Sequence, residues 1–283
     1  MTASVLAGLR ALVIGGSAGI GLASARSLAG DGAQVTIASR SRSGLHETAE
    51  GLAAQGLPVE TVVCDAYRAA DVAAAVARAG RDGGLDICVV IPGGGSIKPV
   101  LLYADDEFEA TVNRNVRPVF LAVKYAGRAM VRAGGGSIVA ISSSAARFST
   151  RYVSAYAAGK AAVDQLVSVA ADELGAYGVR VNSVRPGLTR SRIAEASFEN
   201  AGYMAHFLQG QPIARGGEVT DIAGAVRYLA GPESSWVTGQ HLSVDGGHTL
   251  RGFVDYAKIM DLPDQRQIAL QHDGGADSAA IVG

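Results

Sequence analysis

The sequence is poor in charged residues, in cysteine and in long apolar runs. Only 18% of its 283 residues are charged, and the 25 Lys and Arg nearly cancel the 26 Asp and Glu. A net charge of −1 gives no electrostatic attraction for nucleic acid or for an anionic membrane. No apolar run reaches the roughly 18 residues of a membrane span, and the start of the chain lacks the basic region and the apolar length of a secretory signal. These absences predict a cytoplasmic protein with no nucleic-acid or membrane partner.

Cysteine usage excludes two further classes of protein. Cys64 and Cys88 lie far apart, without a C-x-x-C pair or a neighbouring pair of histidines, so neither a disulfide framework nor a zinc site is expected. Apolar residues make up 48% of the chain, which is enough for a large core. No repeat and no Pro- or Ser-rich linker divides the chain. We therefore expect one domain over residues 1–252, followed by an extension over 253–283.

Apolar runs alternate with helical patterns along the chain. Several of these runs are apolar at nearly every residue, which is typical of strands buried on both faces. The predicted strands cover residues 11–15, 34–38, 59–63, 86–91, 137–141, 179–184 and 241–244. The predicted helices cover residues 20–30, 42–55, 69–80, 105–132, 154–176 and 220–230. The alternation predicts an α/β fold with a doubly wound parallel sheet of about seven strands, flanked by helices and carrying an insert at 190–216.

The first predicted strand leads into a glycine-rich turn, Gly15-Gly16-Ser17-Ala18-Gly19-Ile20-Gly21, and then into a helix. Gly15 permits the tight turn, Gly19 leaves room for a pyrophosphate against the backbone amides, and Gly21 lets helix and sheet pack closely. The helix N-terminus adds N–H groups and the positive end of the helix dipole. The turn therefore predicts a dinucleotide site that includes Ser17 and Ile20. A glycine-rich turn without a ligand is the alternative.

The end of the second strand bears on which dinucleotide binds. An acidic residue at this place would bind the ribose 2′-hydroxyl and repel a 2′-phosphate. The chain instead has Ser39 and Arg40, with Arg42 nearby, and a hydroxyl beside a guanidinium suits a phosphate dianion. We therefore predict NADP(H) in preference to NAD(H). The alternative is that Arg40 is only a solvated loop cation.

Acid–base chemistry is predicted at the start of the fifth helix. Tyr156 and Lys160 are four positions apart and therefore share one helical face. A tyrosine with an ordinary pKa near ~10 is a poor acid or base at neutral pH, and an adjacent cation lowers that pKa toward the working range. A Tyr-x-x-x-Lys pattern is a weak signal by itself. Here, however, Ser143 ends the preceding strand, 13 residues before Tyr156 (156 − 143).

This combination resembles the short-chain dehydrogenase/reductase family of the Tyr-x-x-x-Lys type, over about residues 8–250. The resemblance implies a Rossmann-like fold in which Ser143 orients the substrate oxygen and Tyr156 exchanges a proton with it. It also implies that Lys160 holds the cofactor ribose and lowers the tyrosine pKa. Asn115 would support a water that relays protons to Lys160. The cofactor would supply the hydride, and the chain would align it with the substrate carbonyl.

The resemblance extends to further cofactor contacts and has two departures. It implies contacts from Asp65, Ala66, Gly93, Tyr156, Lys160, Pro186, Gly187, Thr189 and Ser191. The family's usual Thr before the glycine turn is Ile14 here, and its Asn-Asn-Ala-Gly segment reads Val90-Ile91-Pro92-Gly93. Val153 stands where the family's enoyl reductases have their tyrosine, which disfavours that branch.

The substrate is defined less sharply. The candidate pocket residues are Arg147, Phe148, Val153, Phe198, Tyr203 and Phe207. The aromatic residues of the insert predict a lid over a bulky, apolar substrate such as a steroid, a terpenoid or a long acyl chain. The alternative is a lid helix that packs on its own domain. Arg147 could meet a substrate carboxylate or phosphate, or could be an ordinary surface arginine.

These features predict an NADP(H)-dependent oxidoreductase that interconverts a ketone and a secondary alcohol. A non-catalytic NADP-binding regulator or scaffold on the same fold is the alternative. The family commonly forms dimers and tetramers through helices four and five and the last strand, so the resemblance implies a homodimer or homotetramer. Apolar residues in 253–270 predict that the extension packs on the lid or on a neighbouring subunit. It would then either help close the substrate pocket or only staple the oligomer.

Overall fold

A sheet of seven parallel strands forms the centre of the computed structural model, which describes residues 4–81, 83–251, 262–263 and 265–272. The strands are β1 (Arg10–Ile14), β2 (Gln34–Ser39), β3 (Glu60–Val63), β4 (Ile87–Val90), β5 (Gly136–Ile141), β6 (Val179–Pro186) and β7 (His241–Val244). Their order across the sheet is β3-β2-β1-β4-β5-β6-β7, and each neighbouring pair is parallel. The predicted doubly wound, Rossmann-like sheet is confirmed.

Helices cover both faces of the sheet. They are α1 (Gly19–Gly30), α2 (Arg42–Ala53), α3 (Ala69–Ala79), α4 (Asp105–Ala133), α5 (Ser154–Gly175), α6 (Glu195–Glu199), α7 (Ala201–Gln209), α8 (Val219–Ala230), α9 (His248–Arg251) and α10 (Gln265–His272). In β1, Leu12 and Ile14 pack against α3, α4 and α5, whereas Ala11 and Val13 pack against α1, α2 and α8. This burial on both faces explains why the strand reads as an unbroken apolar run.

The strand order reverses at β1, which has β2 on one side and β4 on the other. At such a point the loops that follow two neighbouring strands diverge and leave a crevice at the carboxyl edge of the sheet. The glycine turn follows β1, and residues 91–104 follow β4. Because all strands are parallel, the loops after β5 and β6 reach the same edge. The fold thus brings the predicted motifs together at one place.

The insert and the extension contain helices of their own. Residues 190–216 carry α6 and α7. Helix α10 packs against a short 3₁₀ turn at Val100–Leu102, with Ile268 buried. Residues 253–261 and 273–283 of the extension lie outside the described residues, so its role in closing the pocket or stapling an oligomer stays a prediction. Among the helices that the structure describes, none is long and apolar enough to cross a membrane.

Candidate active site

The glycine turn after β1 forms a cradle that excludes side chains. Gly15 has a φ of +88° and Gly19 a φ of +52°, in the left-handed region that glycine adopts without strain. A Cβ atom on Gly21 would lie 2.0 Å from the carbonyl oxygen of Gly15. The first turn of α1 has neither a capping side chain nor an acidic residue, which leaves its amide groups available to a phosphate. The turn fits the pyrophosphate of a dinucleotide.

Next to the glycine turn, the end of β2 carries a serine hydroxyl, and two arginine side chains lie nearby. The Oγ atom of Ser39 is buried and has no hydrogen-bond partner among the residues described. Burial raises the pKa of the Tyr67 phenol, and the guanidinium groups of Arg114 and Arg40 lower it, so both cations lie near this phenol. Asp65 turns its carboxylate back to accept a hydrogen bond from the Tyr67 amide at 3.0 Å. These groups fit the adenosine end of a dinucleotide.

Lys160 lies one helical turn after Tyr156 and approaches its ring. Its Nζ atom is 5.8 Å from the centre of the Tyr156 ring and donates a hydrogen bond of 2.7 Å to the carbonyl oxygen of Ile141. Burial lowers the pKa of Lys160 to about 8, against the opposing effect of the Asp164 carboxylate. The ammonium is therefore still charged at neutral pH, where it favours a neighbouring phenolate.

Asn115, on α4, clamps the glycine segment that follows β4. Its Oδ1 atom accepts a hydrogen bond from the Gly94 amide at 3.0 Å, and its Nδ2 atom donates to the Gly94 carbonyl at 2.9 Å. A Cβ atom on Gly93 would lie 2.6 Å from Asn115 Oδ1 and 2.9 Å from Lys160 Nζ. The segment Val90-Ile91-Pro92 departs from the family pattern, but the chain keeps Gly93, the residue that this close approach requires. The water-relay role of Asn115 stays a prediction.

Ser143, Tyr156 and Lys160 line one cavity of about 410 Å³ at the carboxyl edge of the sheet. Ser143 begins a 3₁₀ turn, Ser144–Ala146, where its Oγ atom accepts a hydrogen bond from the Ala145 amide at 3.2 Å. The predicted cofactor residues in the same walls are Ile20, Gly93, Pro186, Gly187, Thr189 and Ser191. The loops after β1, β4, β5 and β6 thus contribute to a single site.

The aromatic residues of the lid pack into the lid itself. The rings of Tyr203 and Phe207 lie 6.1 Å apart and are buried with Leu188. The ring of Phe198 lies beneath the guanidinium of Arg190, at 4.4 Å. Phe198, Tyr203 and Phe207 are not among the residues that line the cavity, and their contact with a substrate stays a prediction. Tyr203 and Phe207 form the lid's own core because an amphipathic helix buries its apolar face in the nearest packed surface.

Between Ser143 and Tyr156, Val153 lines the cavity. Arg147 is exposed and Phe148 is half-buried, and neither is among the residues that line the cavity, so their contact with a substrate stays a prediction. Both follow the 3₁₀ turn Ser144–Ala146.

Several wall residues were not predicted from the sequence. Ile97 follows β4, and Leu188 and Ile193 follow β6; all three line the cavity with Val153. Their position in the sequence could have identified them, because each lies in a loop after a strand that ends at the crevice. Arg114 was missed as well, although it directly precedes Asn115 in the sequence.

Cysteine and metal chemistry have no support at this site. Burial raises the pKa of Cys64 to about 11 and that of Cys88 to about 12, so both thiols stay protonated and are poor nucleophiles. Within the described part of the chain, no cluster of three or more His, Cys, Asp or Glu could hold a metal ion.

Comparison with known proteins defines the class. Residues 15–249 match a family model described as enoyl-(acyl carrier protein) reductase. A short-chain type dehydrogenase/reductase from Mycobacterium ulcerans is 37% identical, with a TM-score of 0.89 over 94% of this chain and 98% of that one. The fold and these matches define an NAD(P)-dependent oxidoreductase that acts on CH–OH and C=O groups. The chain belongs to the short-chain dehydrogenase/reductase family.

Two similar structures contain ligands. A 7α-hydroxysteroid dehydrogenase complexed with NADH and 7-oxoglycochenodeoxycholic acid is 31% identical, with a TM-score of 0.82 over 87% of this chain and 96% of that one. A gluconate 5-dehydrogenase from Burkholderia cenocepacia in complex with NADP and tartrate is also 31% identical, with a TM-score of 0.82 over 88% of this chain and 98% of that one. The two differ in cofactor and in the polarity of the ligand.

Proposed function

We propose that the protein interconverts a ketone and a secondary alcohol with NADP(H), using Tyr156 as general acid and base. One observation carries the proposal: Tyr156, Ser143 and the buried ammonium of Lys160 line the same cavity as the Pro186-Gly187 turn. A regulator or scaffold that only bound the dinucleotide would have no use for this acid–base set. Val153 lacks the phenol that an enoyl reductase would need at that position, so we do not propose that activity.

Each residue has a defined task in the proposed reaction. In reduction, Tyr156 donates its phenolic proton to the substrate oxygen, and in oxidation it takes the proton back. Ser143 donates a hydrogen bond to the same oxygen and orients it. The Lys160 ammonium stabilises the phenolate that remains and binds the ribose hydroxyls. A bound nicotinamide supplies or accepts the hydride.

The preference for NADP(H) is supported by the groups at the end of β2. The buried Ser39 hydroxyl has no partner in the described residues, and Arg40 and Arg114 lie around Tyr67. A hydroxyl donor and two guanidinium groups suit the 2′-phosphate, whose charge an acidic residue would repel. Since one similar enzyme binds NADH and another NADP, the preference rests on these residues of the chain itself.

A bulky, apolar substrate is supported by the walls of the cavity. Ile97, Val153, Leu188 and Ile193 line the cavity together with Tyr156, and Ile193 is 92% exposed. Branched apolar side chains exclude a charged polyol and favour a ring system or an acyl chain. A steroid-like, terpenoid-like or acyl-like ketone is therefore the proposed substrate class.

We also propose a homodimer or homotetramer. The outer faces of α4 and α5 form an apolar groove of about 670 Å³. Phe120, Val169 and Tyr177 line it and are exposed. A second copy of the chain would bury this surface. Sedimentation of the wild type should give a multiple of 28.8 kDa, and Val169→Glu should reduce it. A wild type that sediments as a monomer would contradict the oligomer.

The activity is tested with a panel of cyclic, open-chain and polyhydroxylated ketones and their alcohols, each with NADPH, NADH, NADP⁺ and NAD⁺. We expect the fastest turnover for a bulky cyclic ketone with NADPH. Turnover restricted to polyhydroxylated substrates would overturn the substrate class. Tight NADPH binding without turnover of any carbonyl would instead favour the regulator.

A further inference from the structure

A polar seam continues along α5 beyond the proposed catalytic pair. Tyr156, Lys160, Asp164 and Ser168 recur at every fourth residue and so share one face of the helix. Lys160 is 3% exposed and Asp164 is 4% exposed. A buried carboxylate without partners would be strongly destabilising, so its partners indicate what it does.

The partners of Asp164 lie on β6, the strand that ends at the Pro186-Gly187 turn. Its Oδ2 atom accepts a hydrogen bond of 2.7 Å from Arg185 Nε, and its Oδ1 atom accepts one of 2.8 Å from Ser183 Oγ. Arg185 directly precedes Pro186, which lines the cavity. A charge-assisted bond between poorly hydrated groups is short and directional. It therefore ties the end of β6 to the helix that carries Tyr156.

His241, on β7, covers this ion pair. Its Nδ1 atom lies 2.8 Å from Ser183 Oγ and 3.5 Å from Asp164 Oδ1, and its Nε2 atom lies 3.0 Å from Ser168 Oγ. Burial lowers the pKa of His241, so the ring is neutral above neutral pH. The other acidic and basic side chains along the seam are those of Lys160, Asp164 and Arg185.

We propose that Asp164 is a positioning residue. Through Arg185 it fixes the position of the Pro186-Gly187 turn relative to α5, and its negative charge balances the positive charge of Lys160. The proposal rests on the function proposed for Tyr156 and Lys160. Asp164 is not among the residues that line the cavity and would act through its two charged neighbours.

We expect the two partners of the ion pair to have opposite effects on the pKa of Lys160. Asp164→Asn removes the carboxylate that favours the charged ammonium, so Lys160 loses its proton at a lower pH. Arg185→Met removes a cation and leaves the carboxylate unpaired, so Lys160 keeps its proton to a higher pH. A bond with only a structural role would weaken the fold in both variants without moving their titrations in opposite directions.

The test is the affinity for NADPH, measured by fluorescence titration between about pH 6 and pH 10. Neutral Lys160 should bind the ribose less well than the charged form, so the affinity should fall as Lys160 loses its proton. We expect the midpoint of the loss in affinity to fall by about one pH unit in Asp164→Asn and to rise by about one unit in Arg185→Met. Arg185→Lys keeps the charge and should stay near the wild type. Thermal unfolding of each variant monitors its folding.

Two reference measurements separate this inference from the proposed function. If both midpoints stay at the wild-type value while Tyr156→Phe is inactive, the role of Asp164 is overturned and the function stands. If Tyr156→Phe reduces ketones normally, the function and the inference both fail. Should Arg185→Met not fold, Asp164→Asn alone decides, and an unmoved or raised midpoint overturns the proposal.

Discussion

The ammonium group of Lys160 donates a hydrogen bond of 2.7 Å to the carbonyl oxygen of Ile141, in a place almost closed to water. Ile141 is the last residue of β5, two positions before Ser143. The bond therefore joins the helix that carries Tyr156 to the strand that presents Ser143. It also keeps a positive charge out of water, which has a cost in stability.

Replacement of Lys160 by Met should stabilise the fold at neutral pH while impairing function. The folded-state pKa of Lys160 is about 8 and its ordinary value is 10.5. Below pH 8 both states hold the proton, and the buried charge destabilises the folded state by a constant amount. Between the two values the unfolded state binds more protons, so wild-type stability rises with pH.

Lys160→Met should therefore be more stable than the wild type by about 2 kcal/mol at pH 7, after the lost bond to Ile141 is subtracted. The difference should fade toward pH 10. Denaturant unfolding at several pH values measures it. Lys124→Met, at a half-buried site on α4, is the control for the loss of a lysine side chain. A Lys160→Met variant that is less stable than the wild type at pH 7 would contradict the destabilising effect of the buried charge.

The cofactor preference should reverse when Ser39 becomes acidic. The wild type should bind NADPH at least about tenfold more tightly than NADH, because a charge-assisted contact contributes ~1.5–3 kcal/mol. Ser39→Asp should repel the 2′-phosphate and bind NADH more tightly. Arg40→Ala should weaken NADPH binding alone, with Arg42→Ala as the neighbouring control. If the wild type binds NADH more tightly than NADPH, Ser39 and Arg40 do not recognise the 2′-phosphate.

The helix of the C-terminal extension supplies another test. Ile268 is buried where α10 packs on Val100–Leu102, whereas Leu270 on the same helix is 69% exposed. The loop that holds Val100–Leu102 also carries Ile97 of the cavity wall. Ile268→Asp, or deletion of residues 253–283, should therefore raise the substrate KM much more than the NADPH Kd.

Leu270→Asp is the matched control for the extension and should change neither constant. If Ile268→Asp changes the sedimentation mass but neither the substrate KM nor the NADPH Kd, the extension stabilises the oligomer and does not support the cavity wall.

The sheet could be predicted from the sequence because β1 and its neighbours are buried on both faces, which leaves apolar runs such as 11–14. The glycine turn and the Tyr156–Lys160 pair were predictable because their chemistry depends on local spacing. The sequence left two roles open for the lid, because helical periodicity shows that Phe207 has a buried face but not which surface buries it. The bond between Asp164 and Arg185 was invisible, since 21 positions separate its partners.

The most direct test of the account is the turnover of Tyr156→Phe. The substitution removes one oxygen atom and keeps the ring that packs beside Gly95. We expect ketone reduction to fall by roughly two to four orders of magnitude, because the proton donor is lost, while the NADPH Kd stays within about twofold of the wild type. Near-normal turnover in Tyr156→Phe would contradict the proposed chemistry.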